Sequence, residues 1–455
     1  MMVPRLKLIA LTALLLLPAA VAVARDPAWE PAALAIALLL GLAAAVDAVA
    51  GRRRLAGIAI DAPPLVRMTA EQAALIGLQV IKPQTAALTL RIGPALPAAI
   101  VSDRAVASIH LAAGQQRHHL RWPCRALRRG RFALTACHIE LPSPLRLWGM
   151  RRRLALDVEI RVYPNLTGNR QHILGLFDRR EWGWRTVRKV GKGREFEQLR
   201  DYLPGDNYED VDWKATARRR FPVTRVYQVE QSQEIYVILD ASRLSTRNAA
   251  FGRDRRRQRT ATGEAMAETI FERYITACLV MALAADRAGD RLGLVIFGAR
   301  PDCLIKAGRG RAHYNACREA LYNRMAQTVS PDFDELFAFL GTRVRKRALL
   351  LFLTHLDDPL MAESFIGAMR AGTRQHVVRV NMLRPPGAHP LFSSDDVHSP
   401  AGIYEHLAGH MTWSALNDTR RRLRQSGADL ALLDKDRLCS QLIGQYMEIK
   451  QRQLL

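Results

Sequence analysis

At 455 residues the chain has room for two or three domains, each with a core of its own. Apolar residues make up 49%, which excludes both a disordered tail and a fully embedded transporter. Lys and Arg number 67 against 43 Asp and Glu, a formal charge of +24 that suits anionic partners: acidic phospholipid, an acidic protein face or nucleic acid.

The chain opens with two apolar stretches. Leu8 to Ala24 is an uncharged run of 17 residues, and Pro31 to Val46 repeats its character, with Asp47 in the last turn before Ala50. Each approaches the roughly 20 residues that cross hydrocarbon. Arg25 to Glu30 makes a tight connection, so residues 1–54 are expected to form a transmembrane helical hairpin. Arg5 and Lys7 precede the first run, and Arg52, Arg53 and Arg54 come after the second. Positive-inside reasoning puts both ends, and the remainder of the chain, in the cytoplasm. A signal peptide is the competing reading: cleavage near Ala24 would leave one helix and export the rest. The arginines directly after the second run oppose that export.

Residues 55–85 read as a linker, with a short helix over 68–80 that Gly77 weakens. Over 86–165, segments such as "ALTLRIG", "GRFALTACHIEL" and "LALDVEIRVYP" alternate apolar and polar residues between Gly- and Pro-containing turns. Half-buried strands at this spacing predict a small β-sandwich. Residues 166–233 are polar and less regular. Over 234–400, apolar strands ("IYVIL", "RLGLVIFG", "RALLLFL", "QHVVRVNML") alternate with helices, one of them running from Glu264 to about Ala288. That order predicts a parallel sheet covered on both faces. Residues 401–455 read as a C-terminal helical region. The six cysteines, Cys124, Cys137, Cys278, Cys303, Cys317 and Cys439, form no C-x-x-C pair. They are expected to be buried small side chains in a reducing compartment.

Neither G-x-G-x-x-G nor a P-loop comes after the first α/β strand, so nucleotide binding is not indicated. In an open α/β sheet a ligand sits outside the carboxyl ends of the strands. Here those ends carry Asp240, Ser242 and Ser245 after one strand and Thr354, His355, Asp357 and Asp358 after another. Such oxygens suit a hard cation like Mg2+, or simply cap helices. Arg243, in the same loop, is expected to compete with a cation by pairing with Asp240.

The order strand-Asp-x-Ser, helix, strand, helix, strand-Thr resembles a von Willebrand factor type A domain, whose metal-ion-dependent adhesion site begins Asp-x-Ser-x-Ser and ends on a later Thr and Asp. Asp240, Ser242 and Thr354 match. Leu244 replaces the second Ser, with Ser245 one position out of register, and His355 stands at the final Asp. The resemblance therefore implies a degenerate adhesion site, expected to hold no metal.

The segment Gly193 to Arg219, "GREFEQLRDYLPGDNYEDVDWKATARR", resembles the signature of the bacterial "domain of unknown function 58" family. Glu195, Arg200, Tyr202, Gly205, Asp206, Asp212, Trp213, Lys214 and Arg218 all match, whereas Asp210 stands where an Arg is usual. The likeness extends over nearly the whole chain, including the membrane hairpin. Read physically, Pro204 and Gly205 make a turn, Asp206 accepts backbone N–H bonds beside it, and Trp213 packs between the sandwich and the α/β domain. Arg200, Lys214 and Arg218 would pair with nearby acids. The segment is then a domain brace, or a partner surface built on the same groups.

The expected fold is multidomain α/β plus all-β: a transmembrane helical hairpin, a small β-sandwich and a type A-like (Rossmann-like) parallel sheet covered by helices. The histidines, His118, His119, His138, His313 and His355, fall in no recognisable catalytic arrangement, so the protein is not expected to be an enzyme. The resemblance implies a scaffold or adaptor in a bacterial inner membrane that binds proteins at the strand ends, around Asp240, Ser242, Thr354 and His355. Its implied partners are a MoxR-type AAA+ ATPase and membrane or envelope clients, with anionic lipid touching the anchor. A Mg2+-dependent adhesion module is the alternative. Nucleic-acid binding through basic runs such as Arg253–Arg259 is a minor third reading, since few aromatics interleave them.

Overall fold

The computed structural model describes residues 1–82, 87–166, 190–203, 208–228, 232–249, 269–391, 393 and 400–452. It divides into two compact units, Met1–Asn165 and Leu166–Leu455.

The first unit begins with a short strand, β1 (Met2–Pro4), then two long helices, α1 (Leu6–Arg25) and α2 (Glu30–Ala56). Both helices are long and apolar enough to cross a membrane. Their outward side chains, among them Leu14, Leu17, Leu38 and Leu39, are exposed, as expected of a surface made for lipid. Asp26 closes the turn between them by accepting the Ala28 N–H at 3.0 Å.

Nine strands come after the helices: β2 (Ala59–Asp61), β3 (Leu65–Thr69), β4 (Ala73–Ile81), β5 (Leu88–Pro94), β6 (Ile100–Val101), β7 (Ala107–Leu111), β8 (Arg117–Ala126), β9 (Gly130–Pro142) and β10 (Trp148–Tyr163). With β1 they form two sheets, in the orders β1-β10-β9-β5-β7 and β2-β4-β8-β6, with β3 parallel to the far end of β10. Both sheets contribute to one apolar core, so the expected sandwich forms. The expected linker and short helix over 55–85 do not. Helix α2 runs to Ala56, and β2, β3 and β4 occupy most of residues 59–81. Ile76, Leu78 and Val80 are buried while Gly77 and Gln79 are not, a period of two that serves a strand and cannot serve a helix. The sandwich therefore starts near residue 59.

The hairpin is built into the sandwich. β1 pairs with β10 (Val3 opposite Gly149), and the Arg5 N–H donates to the Leu147 carbonyl at 2.9 Å. Asp47, which the sequence places in the last turn of a membrane span, is buried against the loop 143–147. Its carboxylate accepts from the Ser143 hydroxyl and from the N–H groups of Leu145 (2.8 Å) and Leu147 (3.3 Å). The Trp148 indole donates to the Ala44 carbonyl at 2.9 Å. Gly51 lets the helix approach closely, since a Cβ there would lie 3.2 Å from the Ser143 Cβ.

The second unit opens with β11 (Val190–Asp201), helix α3 (Trp213–Arg219) and β12 (Val223–Gln228); the two strands form an antiparallel pair. Then come β13 (Glu234–Asp240), α4 (Ile270–Arg287), β14 (Arg291–Phe297), β15 (Pro301–Gly308), α5 (Gly310–Leu321), α6 (Phe333–Arg343), β16 (Leu349–Leu353), α7 (Pro359–Gly372), β17 (Val377–Leu383), α8 (Pro400–Gln425), β18 (Asp429–Leu433) and α9 (Leu438–Gln451). The sheet order is β15-β14-β13-β16-β17-β18, parallel except for β15 at one edge. Numbered within the sheet this is 3-2-1-4-5-6, the doubly wound order, with β13 and β16 side by side where the winding reverses.

Strand alternation divides the core. Ile235, Val237 and Leu239 join one cluster with α4, α5 and α9; Tyr236 and Ile238 join another with α6, α7 and α8. Helix α4 is buried along most of its length and begins on a capping pair, the Thr269 hydroxyl accepting the Glu272 N–H. Residues 264–268, expected as its first turn, lie outside the described residues. Two expectations are corrected. The sheet is not purely parallel, because the short "PDCLIKAG" strand returns antiparallel on its edge. Residues 401–455 are not a separate helical region, because "DLALL" supplies the sixth strand and α9 covers the sheet. Helix α9 is tied down where Asp290 accepts from the Tyr446 hydroxyl and from Lys450 Nζ, the latter at 2.7 Å.

Candidate functional site

The carboxyl ends of β13 and β16 bring Asp240 and Thr354 together, as their adjacent positions require. Thr354 Oγ1 donates to Asp240 Oδ2 at 2.6 Å, and the Ser242 N–H donates to Oδ1 at 2.8 Å. Asp240 is 1% exposed. Burial raises its pKa above the ordinary carboxylate range, and the hydrogen bonds from Ser242 and Thr354 pull it back. Ser242, Ser245 and Thr354 have no exposed surface.

A single 3-10 turn spans Arg243–Thr246. It turns Ser245 into the interior beside Leu244. Among the described residues, the hydroxyls of Ser242 and Ser245 and one oxygen of Asp357 (Oδ1) are buried without a hydrogen-bond partner. The Ser242 hydroxyl still lies close enough to Asp240 to help hold its carboxyl down, without reaching hydrogen-bond geometry.

Arg243 does not pair with Asp240, contrary to expectation. Both Asp240 oxygens are taken, and reaching them would bury a guanidinium. Instead Arg243 Nη2 meets Asp358 Oδ2 at 3.1 Å, and Arg247 Nη1 meets Asp357 Oδ2 at 2.6 Å. These two pairs, with half-exposed arginines, bridge the loops after β13 and β16. Asp358 also caps α7 by accepting the Leu360 N–H at 3.0 Å.

His355 turns inward. Its ring lies 3.3 Å (Nδ1) from the Tyr274 hydroxyl of α4, and that hydroxyl also reaches the Thr354 carbonyl at 3.2 Å. Burial pushes the His355 pKa down to about 4, so the ring is neutral near pH 7. Asp240, Ser242, Thr354 and His355 are thus too buried to touch a partner directly. The rim is made of Arg243, Arg247 and Leu360, which are exposed, with the partly buried Asp357 and Asp358 paired to the two arginines. Sequence reasoning missed Arg247 and Tyr274. Tyr274 carried a signal, being a polar-tipped aromatic on the apolar face of its helix, four residues after Ile270 and four before Cys278.

The signature segment forms a second feature. Asp212 caps α3, accepting N–H bonds from Lys214 (3.0 Å) and Ala215 (2.9 Å), and pairs with Arg225 at 2.9 Å. The Ala215 N–H above all, with Arg225, lowers its pKa. Asp206, expected to accept backbone N–H bonds beside a Pro204-Gly205 turn, lies outside the described residues together with Pro204 and Gly205. Glu195 falls on β11. The Tyr202 N–H donates to the Pro222 carbonyl at 3.0 Å, joining the β11 and β12 segments, and Arg200 Nη1 reaches the Asp201 carbonyl at 3.4 Å. Lys214 and Arg218 are exposed. Trp213 is 57% exposed, with its ring 5.4 Å from that of Tyr208. Leu203, Tyr208 and Phe221 are exposed too. The basic run Arg253–Arg259 lies outside the described residues.

A Cys–His contact also occurs, Cys317 Sγ to His313 Nε2 at 3.7 Å. Burial pushes that thiol up to about 11, and the same nitrogen lies 2.6 Å from the Leu292 carbonyl, so this is packing rather than an activated nucleophile.

Residues 198–388 match the family model described as protein of unknown function DUF58. No curated protein sequence matches the chain. Among solved structures, the SpRpn10 VWA domain is similar over 47% of this chain and 95% of its own, at 10% identity and a TM-score of 0.27. An aerotolerance-related membrane protein from Bacteroides fragilis NCTC 9343, carrying multiple mutations to serine, is similar over 48% and 99%, at 11% identity and a TM-score of 0.26. The ASH/PapD-like domain 7 of human CEP192 is similar over 24% and 87%, at 11% identity and a TM-score of 0.18. The strand order of the six-stranded sheet, with Asp-x-Ser at the tip of β13, its first strand in the chain, makes it type A-like.

Proposed function

We propose that this chain, whose residues 198–388 match the DUF58 family model, is a membrane-anchored adaptor that holds protein partners through its type A-like unit. The partner we assign is an AAA+ ATPase of the MoxR type, acting with the chain in the assembly or activation of envelope clients. The carrying observation is the exposed Tyr208–Trp213 pair beside Lys214, Arg218 and Arg219, which gives an acidic partner an aromatic anchor and a cationic surround. The charged rim of Arg243, Arg247, Asp357 and Asp358 is the second contact. Positive flanks on both hairpin ends support a cytoplasmic orientation. Retention of the first helix is supported by β1, which cleavage near Ala24 would strip from its sheet.

The test is recovery from detergent-solubilised membranes with tagged full-length chain. The AAA+ ATPase should co-purify with wild type and fall at least several-fold with Trp213→Ala, while Arg421→Gln, a change on the exposed surface of α8, leaves it unaltered. Equal recovery with all three chains would refute the adaptor reading.

The Mg2+-dependent reading keeps one observation in its favour, the oxygens of Ser242, Ser245 and Asp357 that are buried without a hydrogen-bond partner in the loops carrying Asp240 and Thr354. These are hard ligands that fit the ion. The Arg247 guanidinium on Asp357 opposes it, since it already supplies positive charge there. Calorimetry of full-length chain with MgCl2 separates the two. The metal-free reading predicts no saturable heat; a saturable heat abolished by Asp240→Ala would establish the ion.

A further inference from the structure

The outer face of the larger sandwich sheet carries an unbalanced charge cluster. Glu140 of β9 lies opposite Arg151 of β10 on one side and Arg91 of β5 on the other, so the three form one cross-strand row. Ile139 and Leu141, the neighbours of Glu140, point into the core, which fixes this row on the outside. Arg151 Nε reaches Glu140 at 2.9 Å and Arg91 Nη1 at 3.7 Å. A third guanidinium comes from outside the sheet: Arg5 Nη2 lies 3.6 Å from the same carboxylate. Three cations therefore share one anion. Arg153 and His138 occupy the next row on the same face.

The position of this cluster relative to a bilayer is fixed by the chain itself. Arg5 is the residue before α1, and its N–H is bonded to the Leu147 carbonyl. The same loop grips α2 through Asp47 and Trp148, and exposes Leu145 at 59%. No described side chain caps the N-terminus of α1, so its first amides face the same boundary. Resting on the reading of the hairpin as a membrane anchor, we propose that Arg5, Arg91 and Arg151 form a site for the phosphate of an anionic phospholipid headgroup. Glu140 splays the three guanidiniums around one point, leaving their outward N–H groups to a phosphate that their shared carboxylate cannot neutralise. Arg91 and Arg151 are about half exposed, open to a headgroup while fixed by their strands.

Native mass spectrometry of the full-length chain, released from detergent with added phosphatidylglycerol or phosphatidylcholine, tests the site. Wild type should retain phosphatidylglycerol in preference to phosphatidylcholine. The double variant Arg91→Gln/Arg151→Gln should lose that retention by about twenty-five-fold, each arginine contributing a factor of about five. Neither residue lies in the hairpin, so insertion and orientation are preserved. Glu140→Gln should bind phosphatidylglycerol at least as well as wild type, and Arg421→Gln should match it. Unchanged retention in the double variant, or loss in Glu140→Gln, would overturn the proposal. Displacement of the lipid by millimolar inorganic phosphate would assign the cluster to a free anion and overturn the lipid assignment. Failure of the anchor reading would appear separately, as a chain extracted from membranes by carbonate without detergent.

Discussion

His355 sits with its ring against the Tyr274 hydroxyl and is held neutral by burial, its pKa moved from 6.5 to about 4. The unfolded chain binds this proton from about pH 6.5 downward, whereas the folded chain resists until about pH 4. Stability is therefore lost as pH falls through that window, by at most about 3 kcal/mol. Denaturant unfolding between pH 7 and pH 4 should show this slope, and His355→Gln should flatten it; an unchanged slope would mean that His355 is not the group responsible. Asp240 acts in the opposite sense, its raised pKa lowering stability as pH rises above the ordinary carboxylate range. Replacing it with Ala strands the Thr354 hydroxyl and the Ser242 N–H, at a cost of about 1–3 kcal/mol. Arg243→Ala and Arg247→Ala remove half-exposed pairs and should each cost less than about 1 kcal/mol. Lost partner binding in those two variants, at unchanged melting temperature, would therefore be a binding effect.

The sequence showed the buried floor of this site because Asp240 and Thr354 end apolar runs that could only be central strands. It hid the rim. Arg247, which pairs with Asp357, comes after a 3-10 turn that holds Leu244 and Ser245 both buried, and linear spacing does not show that turn. The inward turn of His355 depends on Tyr274, more than eighty positions away.

Among elements, the junction of α2 with the sandwich carries a sharp expectation. In a membrane helix Asp47 looks like a defect that Leu would repair. Here its carboxylate is the acceptor for the Ser143 hydroxyl and for two loop N–H groups. Asp47→Leu should lower stability by about 3 kcal/mol, since buried donors lose their acceptor. Thermal unfolding in detergent and protease cleavage within 143–148 would register it; a stabilised variant would show the junction to be lipid-embedded instead. The linker expected over 55–85 fails for a related reason. Strands as short as β2 and β3 gain order only by pairing with β4 and β10, partners that local pattern does not reveal. β18 is equally hidden, because five residues between two long helices look like a loop until they pair with β17. The long apolar strands β13, β14, β16 and β17 needed no such help.

At the scale of the whole molecule, an apolar hairpin fused to a sandwich precedes a type A-like unit whose motif-bearing polar residues are buried and whose aromatic and charged groups are outside. That division puts recognition on Tyr208, Trp213 and the rim in the adaptor reading, with Asp240 and its neighbours holding the loops in shape. Leu351→Ala, in the central strand β16, should cost about 2–5 kcal/mol and abolish partner recovery only through unfolding. The decisive measurement is photo-crosslinking in intact membranes from a reactive amino acid placed at Tyr208 of the full-length chain. A specific adduct with an AAA+ ATPase at position 208, absent from position 421, is the predicted result. Adducts of equal yield at both positions, or none with such an ATPase, would contradict it.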